Sequence, residues 1–193
     1  MPKAYKGSEF EREMCKCLSL WWTDSKRDDV FWRSAQSGGR ATERTKKGKT
    51  TYGSYGDIAA VDPIGEPLLK FATIELKRGS SHGVPWDLFE SSDSKAVRPF
   101  ESALEQARTS ALQAGSLGWM LIARRDRKRA IVYMGWHLYR KLGQRIMPAI
   151  IYHLTINFSD DFPAQLRFVA IRLEDWFMNV RPQQIIECME REA

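Results

Sequence analysis

The sequence predicts an α/β fold with an α+β-like arrangement, in which a central mixed β-sheet is flanked by helices. Apolar residues recur at helical spacing in the first segment and again after residue 99, whereas the runs between these segments have the length and composition of strands. In chain order the elements read helix, three strands, helix and two strands. This order is typical of a mixed sheet with helices packed on it.

The first helix is indicated by Ser8 and by Glu11, three residues later, which together form a capping-box pattern. We therefore expect the helix to begin near Ser8. Its apolar positions share one face and comprise Phe10, Met14, Cys17, Leu18 and Trp21. That face is expected to pack on the core.

Two extended runs, 57–62 and 69–77, are separated by the segment Pro-Ile-Gly-Glu-Pro, whose prolines and glycine favour a turn. They predict a β-hairpin centred on Glu66. In a hairpin of that symmetry Asp57 lies opposite Glu75, so the two carboxylates share one face of the sheet.

Two polar segments are expected to lie outside the sheet. A basic loop, 38–56, follows a short strand at 30–35 and is rich in glycine, threonine and cations. An insertion, 79–97, contains few residues of the core type. The helix after it is expected to start near Pro99 and to stop at Gly115.

We divide the chain into a core, 1–135, and a C-terminal extension, 136–193, packed on or beside it. The core ends in two strands joined through Asp126, Arg127 and Lys128. In the extension we expect a short helix to 147, strands near 149–158 and 165–173, and a terminal helix after Pro182. The extension could instead serve mainly as a docking module for a larger assembly.

Composition restricts the class of protein. The 193 residues, 43% hydrophobic, suffice for one good core. The formal net charge of +6, from 30 Lys plus Arg against 24 Asp plus Glu, suits a polyanionic partner. Three cysteines form neither an even disulfide set nor a zinc pattern, and no run of about 18 apolar residues is present. We therefore expect a cytoplasmic protein with free thiols and no membrane partner.

The residues that carry chemistry lie on the strand that ends in Glu75-Leu76-Lys77. Glu75 and Lys77 point to one face because side chains alternate along a strand, and the hairpin would add Asp57. Hydrolysis of a phosphodiester needs oxygen ligands for Mg²⁺, an activated water and positive charge near the phosphorus. Asp57 and Glu75 can hold the metal, while Lys77 can orient or deprotonate the water and offset charge.

Four ordered segments, KGSEFERE, FWRSAQSGG, GDIAAVD and IELKRG, resemble those of the PD-(D/E)xK nucleases, and within them the archaeal-type Holliday-junction resolvases and their phage relatives. The resemblance spans about residues 6–135. It implies a restriction-endonuclease-like core, Mg²⁺ with Mn²⁺ as a substitute, and a homodimer that cuts branched or duplex DNA. A phage-encoded enzyme is one expectation.

Site residues implied by the resemblance are Glu11, Asp57, Glu75 and Lys77 as catalytic residues, with Asp57, Glu75 and Leu76 as the metal-binding positions. The DNA-binding residues expected in the matched segments are Arg12, Arg33, Ser34, Ser37 and Arg78. The basic loop adds Arg40, Arg44, Lys46, Lys47 and Lys49, which either bind phosphates or form a solvated charged segment.

Other functions remain open or are excluded at this level. A repair or restriction-type duplex endonuclease, and a non-catalytic DNA-binding protein on the same fold, are the alternatives. A phosphate-binding P-loop is excluded because Glu43 replaces its first glycine, and the three histidines are isolated. Some relatives carry a Gln and a Tyr four residues apart after the Glu-x-Lys motif, but here Gln106 is followed at that spacing by Ser110.

Overall fold

The computed structural model describes residues 3–34, 55–79, 83–86, 94–143, 149–157 and 163–192. Within these ranges the chain forms seven strands and six α-helices. The strands are β1 (Phe31–Arg33), β2 (Ile58–Ala60), β3 (Ala72–Arg78), β4 (Gly118–Arg124), β5 (Ile131–Gly135), β6 (Ala149–Asn157) and β7 (Pro163–Arg172). The helices are α1 (Lys3–Trp22), α2 (Glu66–Phe71), α3 (Ser94–Ala114), α4 (Trp136–Lys141), α5 (Leu173–Asn179) and α6 (Pro182–Glu192).

Five strands form the central sheet in the order β3-β4-β5-β7-β6. β3 and β4 are parallel, and all other neighbours in this sheet are antiparallel. The predicted mixed sheet is therefore confirmed. β1 and β2 form a separate antiparallel pair beside it.

Helices cover both faces of the central sheet. The strands are buried on both faces, so successive residues of β4 join different cores. Met120 and Ile122 pack with Phe10, Met14 and Leu18 of α1. Trp119 and Leu121 pack with Phe100, Leu104 and Ala107 of α3. The molecule thus has three layers, with the sheet in the middle.

Residues of the C-terminal extension contribute to the same sheet and core. They supply β6 and β7, and α6 packs against α2. Trp21 of α1 donates its indole N–H to the carbonyl of Val180 at 3.0 Å. The ring of Trp21 also lies 6.3 Å from that of Trp176, centroid to centroid.

The predicted hairpin around Glu66 is wrong. β2 pairs with β1, not with β3, and the segment between β2 and β3 forms a 3-10 turn, Pro63–Gly65, followed by α2. Asp62 caps that turn by accepting a hydrogen bond from the Ile64 amide at 3.0 Å. Proline suits the first turn of a helix as well as a β-turn, so the same residues start a helix here.

Two helices begin earlier than predicted. α1 starts at Lys3, so Ser8 lies inside it and accepts a hydrogen bond from Arg12 at 3.2 Å. The capping box is therefore wrong. α3 starts at Ser94 and contains Pro99 in its first turns. Its predicted end is confirmed, because Gly115 follows it with a φ of +68°.

Candidate active site

β3 presents Glu75 and Lys77 to α3, on the face of the sheet opposite Ile74 and Leu76. Glu75 is only 1% exposed, and Lys77 is half-buried. Ile74 and Leu76 lie in the core beneath α1. The alternation predicted for this strand therefore places a carboxylate and an ammonium group together between the sheet and a helix.

Two side chains of α3 hold Glu75 in place. Gln106 donates to Oε2 of Glu75 at 2.9 Å, and Ser110 donates to Oε1 at 2.8 Å. Lys77 Nζ donates to the amide oxygen of Gln106 at 2.8 Å and lies 3.6 Å from Oε2 of Glu75. The Gln106 amide therefore bridges the acid and the base. Both carboxylate oxygens have donors, which offsets part of the cost of burying the charge.

Gln106 and Ser110 were not among the predicted site residues. Their spacing of four on the helix that follows Glu-x-Lys was the available signal, because positions four apart share a helix face. Some relatives carry a Gln and a Tyr at this spacing, and Ser110 of this chain departs from that pattern. In the structure the Ser110 hydroxyl bonds to the site carboxylate from there.

Asp57 occupies the outer edge of β3. Its amide donates to the carbonyl of Ile74 at 2.8 Å, and its Oδ2 accepts the amide of Leu76 at 2.7 Å. The Ile74 carbonyl and the Leu76 amide are the groups that an additional strand would use for pairing. Asp57 alone therefore satisfies this edge of β3, and its carboxylate lies beside Glu75.

Gly56 permits this close approach. Its φ is +76°, and a Cβ built there would lie 2.7 Å from the carbonyl oxygen of Ile74. Ser34, at the end of β1, fixes the same segment: its amide donates to the Asp57 carbonyl at 2.9 Å and its hydroxyl to the Gly56 carbonyl at 2.6 Å. Glycine before the aspartate is therefore a geometric requirement.

The carboxyl group of Asp57 lies close enough to that of Glu75 to be affected by its negative charge. Burial, followed by the negative charge of Glu75, raises the pKa of Asp57 to about 7, although the charge of Lys77 acts in the opposite direction. Asp57 and Glu75 are therefore brought together as predicted, but through the edge contact and not through a hairpin. Close to neutral pH, such a pair favours a shared proton or a cation.

Glu11 is separate from this pair. It forms an ion pair with Arg33 between α1 and β1. Among the described residues, no group of three His, Cys, Asp or Glu side chains is placed to hold one metal ion. Burial raises the pKa of Cys15, and the charge of Glu11 adds to that effect.

The predicted DNA-binding residues have several surroundings. Arg12 is exposed, Arg33 is paired with Glu11, and Ser34 is buried. Arg78 donates to the carbonyls of Arg124 and Arg125. The positions that lie outside the described residues are Ser37, Arg40, Arg44, Lys46, Lys47 and Lys49.

No helix in the described part of the chain has both the length and the apolar character needed to cross a membrane. Comparisons with curated proteins and with solved structures gave no match. A family model described as "Phage putative PDDEXK endonuclease" matches residues 3–187, which include both sheets and nearly all of the extension. The acid pair and lysine at the edge of a mixed sheet fit that description, and the chain belongs to this PD-(D/E)xK endonuclease family.

Proposed function

We propose that the protein is a Mg²⁺-dependent endonuclease that hydrolyses phosphodiester bonds in DNA. The buried carboxylate pair of Asp57 and Glu75, beside the ammonium group of Lys77, carries the proposal. Family membership supports the nuclease class, and the net charge of +6 suits a polyanionic substrate.

The donor set fits a hard divalent cation. Mg²⁺ prefers oxygen ligands and is usually held by one or two carboxylates while it keeps several waters. Asp57 and Glu75 would supply the carboxylates. The Leu76 carbonyl is a third candidate, because the N–H and C=O of one strand residue leave the same edge, and the Leu76 N–H already meets Asp57 there. Mn²⁺ has similar ligand preferences.

A bound divalent cation would polarise the phosphodiester and lower the pKa of a coordinated water. Lys77 would orient or deprotonate the attacking water and offset charge that develops on the phosphate. Gln106 would keep the lysine beside Glu75 through its 2.8 Å hydrogen bond. Gln106 and Ser110 together would hold both oxygens of Glu75 in one orientation.

Three substitutions test this assignment, with cleavage, DNA binding and Mg²⁺ binding measured separately. Glu75→Gln and Asp57→Asn keep the size of the side chain and should abolish cleavage and Mg²⁺ binding while DNA binding persists. Lys77→Ala should slow cleavage about a hundredfold or more. The control is Glu66→Gln, which removes an exposed carboxylate on α2.

Full turnover by Glu75→Gln or Asp57→Asn would contradict the assignment. A loss of less than about threefold in Lys77→Ala would leave that lysine only a structural role. Binding of DNA without cleavage by the wild-type protein in Mg²⁺ or Mn²⁺ would favour the alternative of a non-catalytic DNA-binding protein on the nuclease fold.

We further propose a homodimer that makes paired cuts in branched DNA, with a four-way junction as the preferred substrate. Two-fold symmetry would offer two active centres to two equivalent strands. β6, the edge strand far from Asp57, exposes Ile150 and Ile151, at 60% and 47%, and this apolar edge suits a second copy of the chain.

The substrate experiment compares cleavage of a four-way junction with cleavage of its matched duplex arms, alongside the mass in solution. The proposal expects a dimer that cuts the junction faster. A monomer that cuts duplex arms as quickly would instead support a repair or restriction-type duplex endonuclease. Ile151→Lys should reduce the mass to that of a monomer if β6 forms the interface.

The basic loop, 38–56, lies almost wholly outside the described residues. We propose that its cations bind phosphates. Neutralising Arg44, Lys46 and Lys47 together should weaken binding to all DNA sequences equally and flatten its salt dependence, since phosphate contacts release counterions without reading bases. An unchanged salt slope would place the loop away from the DNA.

A further inference from the structure

We propose that the turn between β4 and β5, residues 125–129, is a second surface that binds the DNA backbone. We call this segment, Arg-Asp-Arg-Lys-Arg, the basic turn. It is distinct from the predicted loop at 38–56. The inference rests on the proposed function in that the polyanion is taken to be DNA.

The basic turn has more positive charge than its surroundings neutralise. The nearby carboxylates are each paired with a different arginine: Asp126 with Arg78, Glu174 with Arg129, and Glu13 with Arg124. Arg125, Arg127 and Lys128 have no carboxylate partner among the described residues. Arg127 and Lys128 are exposed, and Arg125 is half-exposed. Three cations on one short turn are therefore available to phosphates.

The backbone of the turn is strained at one of these cations. Arg127 has a φ of +59°, in the left-handed region that favours Gly, Asn or Asp. The turn is closed by the amide of Lys128, which donates to the carbonyl of Arg125 at 3.1 Å. An arginine at this position costs conformational energy that a glycine would not.

The turn is attached to the catalytic strand. Arg78, the residue after Lys77, donates to the carbonyls of Arg124 at 3.2 Å and of Arg125 at 3.0 Å. Arg78 also pairs with Asp126 at 3.3 Å. We therefore infer that Arg78 acts as a positioning residue, which fixes the basic turn relative to the active site.

The distance from the active site suits a single DNA strand. Lys77 is in register with Ala123 on β4. The turn begins two residues further on, so it extends about 7 to 13 Å beyond Lys77 along the strand direction. Phosphates on one DNA strand advance about 3.4 Å per nucleotide along the helix axis. The turn would thus meet phosphates about two to four nucleotides from the one that is cut.

A cavity of about 340 Å³ adjoins the turn. Its wall includes Tyr133, which packs beneath α3, on the same face of the sheet as Glu75 and Lys77. Its cationic lining comprises Arg125, Lys128, Arg129 and Arg172. Arg129 and Arg172 are paired with Glu174 and Asp175, so the positive charge at this cavity that lacks a carboxylate partner among the described residues comes from Arg125 and Lys128 of the turn.

The test compares two triple variants, each of which removes three positive charges. The first is Arg125→Gln, Arg127→Gln and Lys128→Gln. The control is Lys26→Gln, Arg140→Gln and Arg181→Gln, three exposed cations at the opposite end of the β3 and β4 strands. Binding to a labelled duplex and to a four-way junction is measured without divalent metal as the salt concentration is varied.

The basic-turn variant should bind both DNAs at least about tenfold more weakly at moderate salt, and the magnitude of its salt slope should fall by about 2 to 3. The control should stay within about twofold of wild type. Equal behaviour of the two variants would overturn the inference and would leave an acidic protein partner as the alternative. If the wild-type protein has no nuclease activity but the two variants still differ in DNA binding as expected, only the catalytic proposal is refuted.

A single substitution separates binding from structure. Arg127→Gly should raise the melting temperature, because glycine tolerates positive φ, and should weaken DNA binding about threefold or more. A higher melting temperature with unchanged affinity would show that the arginine is only a strained surface residue. That result would overturn the role of the basic turn.

Discussion

Asp57 has two structural tasks at once. Its backbone amide and one carboxylate oxygen pair with the edge of β3, and the negative charge of Glu75 acts on the same carboxyl group. An alanine at this position would remove the proposed metal ligand and would also leave the Leu76 amide without its side-chain acceptor. Asparagine keeps an oxygen acceptor, so Asp57→Asn is the cleaner test of chemistry.

The raised pKa of Asp57 predicts how stability depends on pH without divalent metal. Its value of about 7 in the folded protein exceeds the ordinary carboxyl value, so the folded state retains a proton that the unfolded state releases. This contribution to stability is present at low pH and is lost as pH rises through about 7. The melting temperature should therefore fall between about pH 4 and about pH 7.

Thermal denaturation in EDTA measures this effect, and Asp57→Asn is the matched control because it cannot titrate. A wild-type curve that is as flat as that of the variant would contradict the predicted linkage. Mg²⁺ should restore the melting temperature at the upper pH and have little effect at the lower, because protons compete with the cation for the carboxylates.

Gln106 and Ser110 should affect the rate without touching the substrate. Gln106→Ala should slow cleavage about tenfold, because it removes a hydrogen bond from each of Glu75 and Lys77. Ser110→Ala should have a smaller effect, and Ser110→Thr should restore the rate by restoring the hydroxyl. Gln113→Ala, an exposed position on the same helix, is the control. Equal rates in Gln106→Ala and the control would show that the bridge is dispensable.

At the scale of elements, Asp57 pairs with the edge of β3, and this close approach depends on Gly56. Gly56→Ala should cost about 3 kcal/mol, because it combines an unfavourable φ with a clash against the Ile74 carbonyl. Gly115→Ala, where φ is also positive but nothing lies within 4 Å, should cost about 1 kcal/mol. Chemical denaturation measures both, and equal losses would show that the close approach to Ile74 is unimportant.

Most elements were predictable because their signals are local. The alternation around Glu75 and Lys77, and the end of α3 at Gly115, follow from neighbouring residues alone. The pairing of β2 with β1 could not be predicted in this way, because a proline-rich segment is compatible with both a hairpin turn and a helix start. Asp57 and Glu75 nevertheless lie together at the edge of β3. The sequence pattern identified these two residues, although not the strand pairing that brings them together.

The start of α1 shows the same limit at a helix end. Ser8 and Glu11 have capping-box spacing, but the five residues before Ser8 continue the helix. Inside a helix this pattern does not mark a helix start, and Ser8 accepts a hydrogen bond from Arg12. The Glu11 side chain pairs with Arg33, a partner 22 residues away that no local pattern indicates.

At the scale of the whole molecule, three layers around a mixed sheet were predictable, but the strand order was not. β7 pairs with β5 on one side and β6 on the other. Such pairing between strands distant in sequence depends on how complete sheet faces pack together, and the hydrophobic periodicity of a single strand does not encode this. The predicted catalytic residues were Glu11, Asp57, Glu75 and Lys77, of which the structure places the last three together and pairs Glu11 with Arg33. The hydrogen bonds from Gln106 and Ser110 of α3 to Glu75 depend on how the helix packs on the sheet, which the sequence pattern does not encode.

The position of β7 predicts that the extension is needed for folding. A chain ending at residue 143 would leave the β5 edge unpaired and would expose core residues that pack on Trp176 and Ile185. It should be aggregated or molten, with weak near-ultraviolet dichroism and no cooperative thermal transition. A truncated chain that unfolds cooperatively would contradict this.

β7 lies inside the sheet but is synthesised after the other described strands, and this affects the order of folding during synthesis. The residues of the candidate active site all precede residue 111, yet the strand that completes the sheet begins at Pro163. A ribosome would therefore release all of these residues well before the sheet can close, and the edge of β5 would stay unpaired until β7 is made. The site would form only after β7 has been synthesised, so a product terminated before Pro163 should be unable to cut DNA.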